Sequence, residues 1–161
     1  KVTYPLNENN LDEVIKAENQ AISEIHKAIA DNIDDIACII IEPIQGEGGD
    51  NHFRREFFEQ LRTICNENEM LLIFDEVQTG VGMTGLWWAH QHYVQPDIIA
   101  FGKKTQVCGI LVTDRVDEID DNVFHTPSRI NSTWGGNIVD MVRFKKYLEI
   151  TDEQKLVDGQ T

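Results

Sequence analysis

Three short apolar runs constrain this chain more than any other feature: positions 36–41 (IACIII), 71–74 (LLIF) and 98–101 (IIAF). Each is too short for a buried helix and apolar on both faces, the pattern of a strand buried in a parallel sheet. Between the first two, positions 55–66 (REFFEQLRTICN) place Phe57, Phe58, Leu61 and Ile64 at helical spacing. Before them, Leu11, Val14, Ile15, Ile22, Ile25 and Ile29 do the same over 11–30, with acids, Lys and Gln on the opposite face. Asn10 followed by Glu13 predicts a capping-box start for that helix. Strand, helix, strand, connection, strand is the order of an α/β domain, with a mostly parallel sheet flanked by helices. A fourth strand is expected at 108–113 (CGILVT), and a polar tail over 151–161.

Composition narrows the function classes. A chain of 161 residues that is 41% hydrophobic can bury one core. Its 28 acidic against 14 basic side chains give a net charge of -14. That charge repels phosphate backbones and anionic lipid, so no nucleic-acid and no membrane partner is expected. The longest unbroken apolar run, 36–41, is far below the roughly 20 residues of a bilayer crossing. The opening KVTYPLNENN lacks the basic-then-apolar order of a secretory leader. Cys38, Cys65 and Cys108 form neither a CxxC pair nor a zinc spacing, which fits a reducing, cytoplasmic location.

The chemistry is expected beyond the carboxyl ends of the parallel strands, where ligands of α/β sheets sit. Those ends deliver Glu42, Asp75 with Glu76, and Gly102 with Lys103 and Lys104. A strand ending in Asp-Glu also suits a magnesium-dependent nucleotide hydrolase, but no GxxxxGK[ST] accompanies it. GVGMTG at 80–85 fits GxGxxG literally, yet DEVQT separates it from the strand and Leu86, Trp87 and Trp88 follow, so it reads as a loop. His90 and His92 have no third metal ligand at suitable spacing. Lys103, at the mouth of a buried strand beside Gly102, is expected to be withdrawn from water and is a candidate Schiff-base nucleophile. A pyridine aldehyde cofactor needs such an amine and a carboxylate at its ring nitrogen. Lys103 and Asp75 supply both types, although spacing alone leaves other pairings open.

Four motifs in order, EPIQGEGGD from Glu42, LLIFDEVQTG from Leu71, PDIIAFGKKTQVCG from Pro96 and NSTWGGN from Asn131, resemble the class III pyridoxal-phosphate-dependent aminotransferases over about 36–150. The resemblance implies the large domain of the fold-type I transferase fold, with 1–150 a partial cofactor-binding domain, and pyridoxal 5′-phosphate as cofactor. It implies that Lys103 condenses with the cofactor aldehyde and shuttles the proton, and that Asp75 pairs with the pyridine nitrogen. The resemblance also implies that Val77 packs on the ring, that Gln78 bonds the phenolic oxygen, and that Thr133 binds the cofactor phosphate of a neighbouring subunit, hence a homodimer with shared active sites. It further implies that Glu47 is the family's gating glutamate and that Asn131 lines the substrate pocket. FGKKTQVCG and NSTWGGN point to members acting on L-lysine and 2-oxoglutarate, with ornithine or 4-aminobutyrate as the alternative donors. Family members are much longer, so an internal fragment is expected, inactive in isolation, with a noncatalytic remnant of such an enzyme as the alternative reading.

Overall fold

The structure, a computed structural model, describes residues 9–130 and 132–157. Its elements in chain order are α1 (Leu11–Asp31), β1 (Cys38–Ile41), β2 (Ile44–Gln45), β3 (Asn51–His52), α2 (Arg55–Glu67), β4 (Leu71–Asp75), β5 (Ile98–Phe101), β6 (Gly109–Val112) and α3 (Ile138–Glu153). Short 3-10 turns stand at Ala89–His92, Lys103–Thr105 and Asp114–Glu118. The main sheet runs β1-β4-β5-β6. β1, β4 and β5 are parallel, and β6 returns antiparallel along β5. The expected mostly parallel α/β sheet is therefore present.

β1 and β4 are parallel neighbours, so the chain between them has to cross over, and α2 makes that crossing. Its apolar stripe of Phe57, Phe58, Leu61, Ile64 and Cys65 is buried against Met70, Leu72 and Phe74. Ile22, Ile25 and Ile29 of α1 close the layer from outside. Phe58 sits at its centre, edge-on to Phe74 at 5.1 Å and 4.6 Å from the ring of Tyr93. Such aromatic pairs add about 0.5–1.5 kcal/mol beyond area burial.

Two buried ion pairs tie the layers together. Glu18 on α1 takes Arg54 Nε at 2.8 Å and Nη2 at 2.6 Å, and Arg54's own backbone N–H at 3.3 Å. Only 5% exposed, it does not lie on the polar face assigned to acids. Its arginine partner lets a charge occupy the apolar stripe. Asp97 accepts Leu72 N–H at 2.7 Å and Arg62 Nη1 at 2.8 Å, fastening α2 to the start of β5.

Several expectations change. Asn10 makes no side-chain cap; its carbonyl instead receives Val14 N–H at 3.1 Å. The strands are not buried on both faces, because α1 and α2 cover only one. Leu72 and Phe74 are fully buried on the helix side, whereas Ile40 is 63% exposed. In β6, Ile110, Leu111 and Val112 are all exposed. The EPIQGEGGD stretch, for which no strand was expected, begins in a small hairpin that pairs Ile44 with His52 and Gln45 with Asn51. Helix α3 was not expected, since its apolar residues surround the axis instead of forming one stripe: Ile138, Val139, Met141 and Val142 are exposed while Phe144 stacks on Phe101 at 5.9 Å. It runs through 153, past the start of the expected tail, and Thr151 is buried with its hydroxyl donating to the Tyr147 carbonyl at 2.8 Å.

Two outcomes follow from this core. Phe58→Ala lowers the unfolding free energy by about 3–5 kcal/mol in urea titration followed by circular dichroism, while Ile33→Ala, at a 76% exposed position, changes it by under about 0.5 kcal/mol. The Cys65 thiol is fully buried, and desolvation pushes its pKa up to about 11. At pH 8 about one molecule in a thousand carries that thiolate. Iodoacetamide therefore labels the exposed Cys108 in the native chain and reaches Cys65 only after unfolding, as peptide mass spectrometry would read.

Candidate active site

In-register parallel pairing fixes where the strand ends lie. Ile41 pairs with Phe74, Phe74 with Ile99, and Asp75 with Ala100. Glu42, Asp75 and the Gly102–Lys103 step consequently leave the sheet along one rim. Alternation turns Asp75 away from the helix-covered face that holds Leu72 and Phe74. Asp75 is half-buried, and its Oδ1 accepts Val77 N–H at 3.0 Å. Glu42, half-buried, accepts Gly46 N–H at 3.2 Å and closes the turn into the hairpin.

Next to Asp75, Glu76 is 1% exposed. Its carboxylate accepts Ala89 N–H at 2.5 Å and His90 N–H at 2.9 Å, and meets His90 Nδ1 at 3.0 Å. Its carbonyl accepts Gly80 N–H at 2.8 Å. Glu76 thus staples both ends of the 77–88 loop, which carries Val77 and Gln78. Gly80 is required here, since a Cβ would stand 2.8 Å from the Trp88 ring and 2.9 Å from the Glu76 carbonyl oxygen. Val81 is buried at φ +56°, a region that costs a β-branched residue about 1–3 kcal/mol. The stretch 80–85 is turn, not the start of a helix, as expected of a loop. His92 Nε2 faces the Thr84 carbonyl at 3.1 Å, and no group of three metal-binding side chains occurs among the described residues.

Beyond β5 the backbone turns sharply. Lys103 has φ +51° and Gln106 φ +60°. This left-handed step swings Lys103 outward, so the withdrawal from water expected of it is absent and its side chain is exposed. Its ammonium donates to Gln78 Oε1. Lys104 is the half-buried one; its Nζ donates to the Gln78 main-chain carbonyl at 2.5 Å. Burial, and secondarily the charge of Lys103, pulls the Lys104 pKa below that of an ordinary lysine. Gly46 packs on the third side of Gln78, where a Cβ would come within 3.2 Å of Cγ. Val77 is half-buried beside Gly102, where a Cβ would be 3.5 Å from Val77 Cγ1.

Lys103, Gln78, Val77 and Asp75 therefore converge on one strand-end rim. Glu47 lies exposed in the hairpin turn closed by Gly49 N–H to the Gly46 carbonyl at 3.1 Å. Thr133 is exposed in the turn closed by Gly135 N–H to the Ser132 carbonyl at 3.0 Å. A cavity of about 250 Å³, lined by Gln106, Cys108, Ser132 and Asn137 among others, separates that turn from the lysine turn. Asn131 lies outside the described residues. Sequence reasoning missed the staple made by Glu76 and the grip of Lys104 on Gln78. Only the adjacency of two acids, and of two lysines, signalled either. As a donor set, one amine, one carboxylate, one amide and one apolar side chain fit the ring end of a pyridoxal-type cofactor. Next along the chain from Gln78, Thr79 Oγ1 is buried without a hydrogen-bond partner.

Known proteins share this chain's sequence and fold. The family model for aminotransferase class-III matches residues 1–161. The L-lysine-epsilon aminotransferase of Mycobacterium tuberculosis is 53% identical across 98% of this chain, which spans 36% of that relative. The enzyme of the same name from Streptomyces clavuligerus is 50% identical across 89% of the chain and is covered to 32%. The chain thus spans about a third of the length of these relatives. The solved structure of the lysine aminotransferase from M. tuberculosis in the internal aldimine form superposes with a TM-score of 0.88 at 52% identity, covering 98% of this chain and 36% of that one. With a parallel-strand rim, a family match along its whole length and that superposition, this chain belongs to the class-III aminotransferases.

Proposed function

We propose that this chain forms the cofactor-anchoring part of a pyridoxal-phosphate-dependent enzyme that moves the ε-amino group of L-lysine to 2-oxoglutarate, giving glutamate and 2-aminoadipate 6-semialdehyde. The observation that carries the reading is the β4–β5 register, which puts Asp75 and Lys103 on one rim with Gln78 bonded to the Lys103 amine. The half-identity with lysine aminotransferases across nearly the whole chain supports lysine as the donor.

Pyridoxal 5′-phosphate, when bound, supplies an aldehyde that captures amines and a protonated ring that withdraws electrons from the substrate carbon. Lys103 is the attachment amine, and once released it accepts a proton at Nζ from one carbon and returns it to another. The Asp75 carboxylate holds a proton at the ring nitrogen; its other oxygen is fixed by Val77 N–H, so the acid is aimed before the cofactor arrives. Val77 would offer an apolar face, and the Gln78 amide, whose Oε1 accepts from the Lys103 ammonium, would donate from Nε2 to the phenolic oxygen.

Glu47, at the tip of an exposed turn, is free to swing, as a side chain that admits two unlike substrates must. Asn131 contributes to the same pocket. Thr133 reaches the phosphate held by a second copy, so the working unit is a homodimer with shared active sites.

A chimera in which this chain replaces the matching segment of the M. tuberculosis enzyme tests the reading. Borohydride reduction with pyridoxal phosphate places the label on Lys103; a label on Lys104 instead rejects the assignment. Lys103→Ala loses the label and lowers kcat by about 10²–10⁴-fold. Asp75→Asn keeps the label and lowers kcat by about 10²–10³-fold. Across a donor panel L-lysine gives the highest kcat/KM, and a preference for ornithine or 4-aminobutyrate overturns the substrate.

A further inference from the structure

We propose that Lys104 is a positioning residue for the proposed reaction, acting through the main-chain carbonyl of Gln78 to hold the 75–78 segment against the lysine turn. The inference rests on the functional reading above and deepens it.

The sheet supports this segment only as far as Glu76. The β4–β5 pairing ends with Asp75 opposite Ala100, and the last ladder-like bond is Glu76 N–H to the Ala100 carbonyl at 2.9 Å. Past that point the two chains diverge, one into the 77–88 loop and the other into the 103–105 turn. Lys104 Nζ on the Gln78 carbonyl is a link across the gap. It is charge-assisted and half-buried, so it is stronger than a neutral surface bond.

The left-handed φ of Lys103 separates two consecutive lysines into different tasks. Lys103 takes the amide side chain of Gln78, and Lys104 takes its backbone. When Lys103 turns to other work, the Gln78 amide loses that partner while its main chain stays clamped. Gly46 lies on the third side, where a Cβ would stand 3.2 Å from Gln78 Cγ and press on it. Gln78 is thereby held by its backbone and its flank, leaving the terminal amide to choose its partner.

The test uses the chimera. Lys104→Met lowers kcat about tenfold, the loss expected for one charged hydrogen bond, with KM for L-lysine within about twofold. It also shifts the absorption maximum of the bound cofactor, because the Gln78 amide moves. Lys104→Arg, which keeps a charged donor, restores the maximum and most of kcat. The Lys104→Met effect shrinks in a Gln78→Ala background, since the two act as one unit. Unchanged kcat and maximum in Lys104→Met, an arginine variant as impaired as the methionine one, or additive effects in the double variant each overturn the proposal. If Lys104→Met fails to fold, Lys104→Gln carries the same comparison. Absence of label on Lys103 in the unsubstituted chimera overturns the functional reading itself, which distinguishes the two failures.

Discussion

The pairing of β4 with β1 on one side and β5 on the other is the constraint from which the rest of this structure follows. Each strand is only four or five residues long, so a slip of one residue would turn Leu72 and Phe74 out of the core and Asp75 into it. The aromatic layer under β4 opposes that slip, because turning Phe74 out of the core would break its edge-on contact with Phe58. Asp97 reinforces it by bonding Leu72 from the neighbouring strand. Packing on the helix-covered face of the strands thus sets the geometry of a chemical rim at their carboxyl ends.

At that rim two adjacent acids have opposite fates. Asp75 keeps a partly open carboxylate, whereas Glu76 is sealed from water and shared among two backbone donors and an imidazole. The second makes the first usable, since the loop that follows would otherwise have only its own turns to hold it. Non-glycine residues at positive φ, Val81 and Lys103, stand on either side of this construction. Strained backbone of this kind persists only where surrounding contacts over-determine it. Here those contacts are the Glu76 staple, the Trp88 ring against Gly80 and the two-lysine grip on Gln78.

Much of this was legible in advance, and the exceptions have a common cause. β5 was expected at the positions it occupies, and α1, α2 and β4 were expected to within a residue or two, because each carries a periodic or contiguous apolar signal. Helix α3 carries none, since its apolar residues face several directions. Burial of the strands on both faces was inferred from composition, yet burial depends on which face other elements cover, and α1 and α2 cover one. Exposure of Lys103 followed from a single left-handed dihedral, which no local pattern announces in a lysine.

The sequence by itself determined the order of strands and helices, the acidic and basic residues that end the strands, and through its motifs the family. Those properties depend on short-range periodicity and on residue identity, both of which are written linearly. The tertiary structure alone decided which of two neighbouring lysines is half-buried, that Glu76 is a staple while Asp75 stays accessible, and that Gln78 is gripped at both ends. Each of these depends on where segments 13 or more residues apart come to rest, and that is fixed by packing and register across the sheet.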